Sequence, residues 1–354
     1  MHPYDREGAL EMKRCLFLIC TLAAVLLAAC SATNSGGETK STEQKKDEGT
    51  RQAYCEICKK DVSWMGLTQE YVDTIEITDS EGKTIDSAIM SGTVYETRHY
   101  YLAEDLVYND SPVMGFFRGP GKGLTSCLDL NDHNITTTAT TSIFGNSGVL
   151  NVMGNGVVTG YSPNDHEGAA VRCGNRNSNN GLNLYGGIYK KTDNTDPANP
   201  VVAFDGAGRC VSVFDGVVID AGDGVAIFAD SSPSREKEGY LLLQGCTVTG
   251  DVKFAPFDGF VTDGDFINCT INGEVIVPEG HGLALSGKVV IERLALGENI
   301  RLQLGDLAEG TRIGLDADGI FTTKTDRAEN DAAYFLPVDL EKKVSVQDGT
   351  LSCD

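Results

Sequence analysis

Cys246-Thr247-Val248-Thr249-Gly250-Asp251-Val252 returns 23 residues later as Cys269-Thr270-Ile271-Asn272-Gly273-Glu274-Val275, with the physical character of every position kept. Self-similarity at a fixed offset marks stacked repeats, in which each unit buries its apolar face only against its neighbours. Looser echoes precede it: Leu128-Asp129-Leu130-Asn131, Leu150-Asn151-Val152-Met153, Leu182-Asn183-Leu184-Tyr185, Val211-Ser212-Val213-Phe214 and Leu241-Leu242-Leu243-Gln244. Their starts lie 22, 32, 29 and 30 residues apart. That irregularity does not suit a solenoid of helical pairs; it suits coils that carry loops of unequal length. The chain reads as all-β, wound as a single-stranded parallel β-helix.

Composition agrees. There are 41 Gly against 10 Pro and a single Trp, and Val, Ile and Thr fall in short alternating runs, the pattern of many brief strands parted by turns. No stretch of helical period follows residue 60. Coils stacked about 4.8 Å apart bury one continuous apolar column, so one domain can hold a chain of this length.

The N-terminus predicts an address. Lys13 and Arg14 precede an apolar run from Cys15 to Ala29, which ends in Leu27-Ala28-Ala29-Cys30 followed by small polar residues. A basic head, a short greasy core and small residues before the break make a secretory signal, and the run is too short to span a bilayer comfortably. Leu-Ala-Ala-Cys looks like a bacterial lipobox, with Cys30 the lipidated first residue of the mature chain. The reading is thus a signal peptide over 1–29, with Met12 as its natural start, and a lipidated polar tether over 30–53. An N-terminal cysteine-knuckle and cap segment over 54–98 follows, then the β-helix with its closing segment over 99–354. The expected location is extracytoplasmic, on the cell surface, anchored to the membrane through lipid. The formal charge of −22 argues against nucleic acid and against polyanionic glycans unless bound cations screen the repulsion. A monomer is expected.

Eight cysteines remain beyond Cys30: Cys55, Cys58, Cys127, Cys173, Cys210, Cys246, Cys269 and Cys353. An even number in an exported chain suggests disulfides, but Cys246 and Cys269 share a repeat position and would lie one above the other with parallel side-chain vectors. Reduced, inward-facing thiols are the favoured reading there. Cys55-Glu56-Ile57-Cys58-Lys59-Lys60 differs in kind. Two thiolates on a tight knuckle can share one tetrahedral zinc ion, and His99 is the nearby donor of the preferred type. No second Cys-x-x-Cys exists, so Cys55, Cys58 and His99 stand as candidate zinc ligands beside the alternative of a disulfide or a vestigial knuckle.

Taken together, Cys55-x-x-Cys58, Val62-Ser63-Trp64, His99-Tyr100-Tyr101-Leu102 and Cys127-Leu128-Asp129-Leu130-Asn131-Asp132-His133-Asn134-Ile135-Thr136 resemble exported β-helix lipoproteins of gut Firmicutes. Gly310-Thr311-Arg312-Ile313-Gly314-Leu315, Gly319-Ile320-Phe321-Thr322 and Tyr334-Phe335 are similar to the closing segment of such chains. The resemblance covers roughly residues 54 to 350 and implies a right-handed, pectin-lyase-like solenoid. It lends no activity. Asp132 stands where that pattern has Gly, which implies a turn built differently.

An enzymatic alternative rests on Asp220-Ala221-Gly222-Asp223, Gly280-His281-Gly282 and Arg312-Ile313-Gly314. Their order matches that of polygalacturonase-type hydrolases, where paired carboxylates activate water and protonate the leaving oxygen. On that reading Asp220, Asp223 and His281 would be catalytic. The upstream Asn-Thr-Asp is missing, however, the Asp pair is split, and Gly314 replaces the lysine that would grip a substrate carboxylate. Asp263-Gly264-Asp265 and Asp316-Ala317-Asp318 could help hold calcium, without a full ligand set in view. Two classes therefore stay open: a non-catalytic surface module that binds glycan or protein, and a polysaccharide hydrolase or lyase.

Overall fold

The computed structural model describes residues 49–70, 99–108, 125–137, 149–160, 181–192, 196–205, 210–230, 239–257 and 261–354, with short strands between them. The signal segment, Cys30 and most of the proposed tether lie outside the described residues. The chain is a parallel β-helix. Among the described residues eleven strands form one sheet, which begins with the hairpin Thr50–Cys55 and Lys60–Leu67. It continues through His99–Leu102, Thr125–Asp129, Val149–Met153, Gly181–Leu184 and Cys210–Val213 to Gln303–Leu307. From Lys60–Leu67 onward every neighbour in this sheet is parallel.

The other faces of the coils make a second sheet. In the early coils these faces are separate short strands, and from Val218–Ala229 onward one strand bends to serve both. Its first half pairs with Ile188–Lys191 and its second half with Val202–Asp205. Thr247–Phe254, Thr270–Val277 and Val290–Leu296 repeat the bend; the register shifts at the corner between Val218–Ala229 and Thr247–Phe254 and between Thr270–Val277 and Val290–Leu296, and holds between Thr247–Phe254 and Thr270–Val277. The glycines of the 23-residue echo sit at that corner. A Cβ on Gly273 would lie 2.4 Å from the carbonyl oxygen of Gly250, and Gly250 has φ +108°, so the corner stacks only where side chains are absent.

The echo register is the one read from sequence: Val248 pairs with Ile271, which pairs with Ile291, and all three are fully enclosed in the column. Leu150, Leu182, Val211 and Leu241 also stack in register. The first looser echo is displaced. Leu150 lies beside Ser126, and Leu128 lies beside Val152, because Leu128 and Leu130 are two successive inward positions and spacing alone did not say which one opens the rung. Cys246 and Cys269 are buried free thiols in the core, and burial pushes the Cys246 thiol up to about 12.

A strand begins within the segment that composition marked as tether. Thr50–Cys55 alternates outward Thr50, Gln52 and Tyr54 with inward-turned Arg51, Ala53 and Cys55, a strand whose inner row is too polar to register as an apolar run. Asp132 takes φ +63° directly after Asn131 at +51°. The turn keeps the left-handed conformation a glycine would adopt, using residue types that tolerate it. Its backbone donates to Asn155 O at 2.8 Å, and Asn155 Nδ2 donates back to the Asp132 carboxylate at 3.1 Å. The far end closes with an antiparallel sheet of Gly319–Ile320, Val344–Gln347 and Thr350–Cys353.

Candidate metal centre

A small apolar cluster separate from the column forms where the N-terminal hairpin meets the first coils: Cys55, Trp64 and Cys127, with Ala53, Ile57, Cys58, Val62, Tyr101 and Met153 against them. Sheet order puts Thr50–Cys55 three places from Thr125–Asp129, about 14 Å if the sheet were flat. Yet Arg51 Nη2 pairs with Asp129 Oδ2 at 3.1 Å and the Arg51 guanidinium lies 4.0 Å over the Tyr101 ring. The hairpin therefore curls over the outer face of the first coils.

Trp64, His99 and Cys127 are one cross-strand row of that outer face. The residues flanking them, Tyr100, Leu102 and Leu128, point into the column, so alternation sends His99 and Cys127 outward, under the hairpin. Trp64 packs its ring edge-to-face on His99 with centroids 5.1 Å apart and donates Nε1–H to Ala53 O at 3.2 Å. The knuckle supplies the other two donors. Lys59 N donates to Cys55 O at 2.8 Å, with Lys59 at φ +55°, and Cys58 N donates to Cys55 Sγ at 3.4 Å.

The four side chains converge. Cys127 Sγ lies 3.8 Å from both Cys55 Sγ and Cys58 Sγ, and Cys58 Sγ lies 3.2 Å from His99 Nε2. All four donor atoms fall within 4.8 Å of one another, and among the described residues this is the one cluster of His, Cys, Asp and Glu of that kind. Asn151 Nδ2 approaches Cys127 Sγ at 3.7 Å, while its oxygen accepts from Asn183 Nδ2 at 2.8 Å. Burial, followed by the neighbouring thiols, raises the Cys127 thiol far above its usual range. Burial first, then the Cys55 hydrogen bond, raises Cys58, and burial first, then Lys60, lowers His99. A cation among them would favour thiolates. The sequence candidates Cys55, Cys58 and His99 lie together here, joined by Cys127, which the sequence reading had not singled out as a ligand.

The candidate catalytic residues are placed otherwise. His281 is buried and uses both ring nitrogens on backbone: Nδ1 accepts from Thr262 N at 3.0 Å and Nε2 donates to Ala255 O at 2.8 Å. Asp220 and Asp223 are exposed on Val218–Ala229, in the second sheet, where Asp220 Oδ1 accepts from Gly222 N at 3.0 Å. Gly314 sits inside a rung, and a Cβ there would come within 2.1 Å of Glu292 O. A lysine does not fit at that point. Of the proposed calcium ligands, Asp265 accepts from Tyr240 Oη at 2.5 Å, Asp316 pairs with Arg293 at 2.5 Å, and Asp318 pairs with Lys342.

Comparison with known proteins gives no matching family model, no matching curated protein and no matching solved structure.

Proposed function

We propose that this chain is a non-catalytic, lipid-tethered surface protein that presents the flank of a right-handed, pectin-lyase-like solenoid for contact with neutral glycans or with proteins. The observation that carries the reading is the outer face of the eleven-stranded sheet. Half-buried Asn183 stands there in a cross-strand row with Asn151 and Ser212, which are both buried. Beside them, half-buried Tyr185 and Phe214 stack with centroids 4.4 Å apart and planes 1° from parallel. The stacked rings, with the Asn183 amide beside them, suit packing against uncharged sugars or polar protein surfaces. The charge of −22 disfavours uronic-acid polymers by repulsion.

The occupation of His281 by Thr262 and Ala255 supports the non-catalytic part, since a general acid or base needs a nitrogen free to reach the substrate. Incubating the purified chain with plant and mucin glycans in the presence of calcium tests both parts. Retention on neutral glycans without new reducing ends is the expected result, weakened by Tyr185→Ala and Phe214→Ala. Unsaturated or shortened products, lost in Asp220→Asn or Asp223→Asn, would establish the hydrolase or lyase instead.

A further inference from the structure

We propose that Cys55, Cys58, His99 and Cys127 bind one zinc ion in a closed, four-coordinate site that clamps the N-terminal hairpin onto the first coils. Three of the six donor–donor distances already lie close to those of such a site, and all six are within 4.8 Å. Zinc–sulfur bonds of about 2.3 Å arranged tetrahedrally set the sulfurs about 3.8 Å apart, and zinc–nitrogen bonds of about 2.0–2.1 Å bring an imidazole nitrogen slightly closer. The Sγ separations at Cys127 are both 3.8 Å, and the nitrogen edge at Cys58 is the shortest of the measured three, 3.2 Å.

The pattern of contacts speaks for a shared central atom over a pairwise bond. Cys127 Sγ is equidistant from Cys55 Sγ and Cys58 Sγ, so neither is singled out for a disulfide, whose sulfurs would sit about 2.05 Å apart. Mere packing of small apolar side chains explains the burial of cysteine, but it gives no reason for an imidazole nitrogen to aim into the sulfurs. Two further groups point N–H bonds at them: the Cys58 amide toward Cys55 Sγ and the Asn151 amide toward Cys127 Sγ. Such outer partners hold ligating groups in place and temper their charge.

Three thiolates and one imidazole are a zinc set of the structural kind, because all four positions come from protein and none is left for water or substrate. The ligands come from the hairpin turn, from His99–Leu102 and from Thr125–Asp129; the last two pair directly, and the strand Thr50–Cys55 joins them in the sheet only through Lys60–Leu67. One ion therefore ties the terminal strand Thr50–Cys55 across two coils, and a solenoid's end needs such a cover for its exposed edge.

The test uses the purified full chain prepared under reducing, chelator-free conditions. Elemental analysis should find one zinc per chain. After chelation, titration with zinc alone should restore it, and cobalt alone should give the intense visible bands of four-coordinate cobalt with thiolate charge transfer. Cys127→Ser should lower affinity at least about 100-fold and Asn151→Ala about 10-fold, while Cys269→Ser, in the column, leaves it unchanged. Metal removal should raise amide exchange in residues 50–67 and leave 270–296 as they were. Should Cys127→Ser not fold, the pair His99→Cys and His99→Ala decides, with metal kept in the first and lost in the second. Absence of stoichiometric zinc, a five-coordinate cobalt spectrum, unchanged affinity in Cys127→Ser, or a disulfide within the trio in the protein as isolated would overturn the assignment.

Discussion

Ile271→Ala measures how strictly the coils depend on their internal stack. Ile271 is fully enclosed, between Val248 on one coil and Ile291 on the next. Truncation removes three carbons from that column, a transfer loss of about 2.4 kcal/mol at ~0.8 kcal/mol each. The neighbouring rungs are held by their own ladders and cannot close the gap, so a cavity contribution adds to it, within the about 2–5 kcal/mol such truncations cost. We expect about 4 kcal/mol, read as a shift of the urea midpoint at unchanged slope. Asn272→Ala, one residue on and facing solvent, should stay within about 0.5 kcal/mol. Because coils contact only their neighbours, amide exchange should accelerate first in 247–254 and 290–296, and much less in 149–153. Equal costs at Ile271 and Asn272 would refute the register, since a slip of one residue exchanges the two faces.

His281→Ala should destabilise by about 2–4 kcal/mol, because it leaves the buried Thr262 N–H and Ala255 carbonyl without their partner; a calorimetric midpoint equal to that of the parent would count against a structural role. Cys30→Ala should move the protein from the membrane to the soluble fraction, and a variant that stays with the membrane would end the lipid-anchor reading. Asp331 is buried, its carboxylate makes no hydrogen bond, and Arg327 Nη2 stands 3.6 Å away. Burial, opposed by Arg327, raises its pKa above 3.8. The folded state then holds the proton more tightly than the unfolded chain, so this residue's stabilising contribution is complete below about pH 4 and is lost as pH rises through the folded value. Asp331→Asn should therefore be more stable than the parent at pH 7, with a gap that closes toward pH 4; a constant gap would contradict the assignment.

The parallel stack was legible because its cause is local and periodic. Inward positions must be apolar in every coil, corners must be free of Cβ, and both demands recur at Val248/Ile271 and Gly250/Gly273. The same rule failed at Leu128, where two inward leucines in a row leave the phase undetermined until Ser126 is seen beside Leu150. It failed also at Thr50–Cys55. The inner row of that strand is completed by an arginine lying on Tyr101, a long-range contact with no apolar trace of its own.

The candidate metal cluster was half legible for the same reason. Cys55 and Cys58 are close in sequence, so their pairing shows in the spacing, and His99 stood out as a donor in a chain with 5 histidines. Cys127 carries no such mark, because what brings it to His99 is the pairing of two strands 28 residues apart. A signal was nonetheless present. Tyr100 and Leu102 must face inward, as must Leu128 and Leu130, so alternation alone sends His99 and Cys127 to the same outer face, where an unexplained thiol on an exposed surface is a poor choice unless something covers it. The Cys-x-x-Cys hairpin is that cover. Reading the outward residues of each coil as a second pattern, in step with the inward one, would have joined Cys127 to the other three from the sequence.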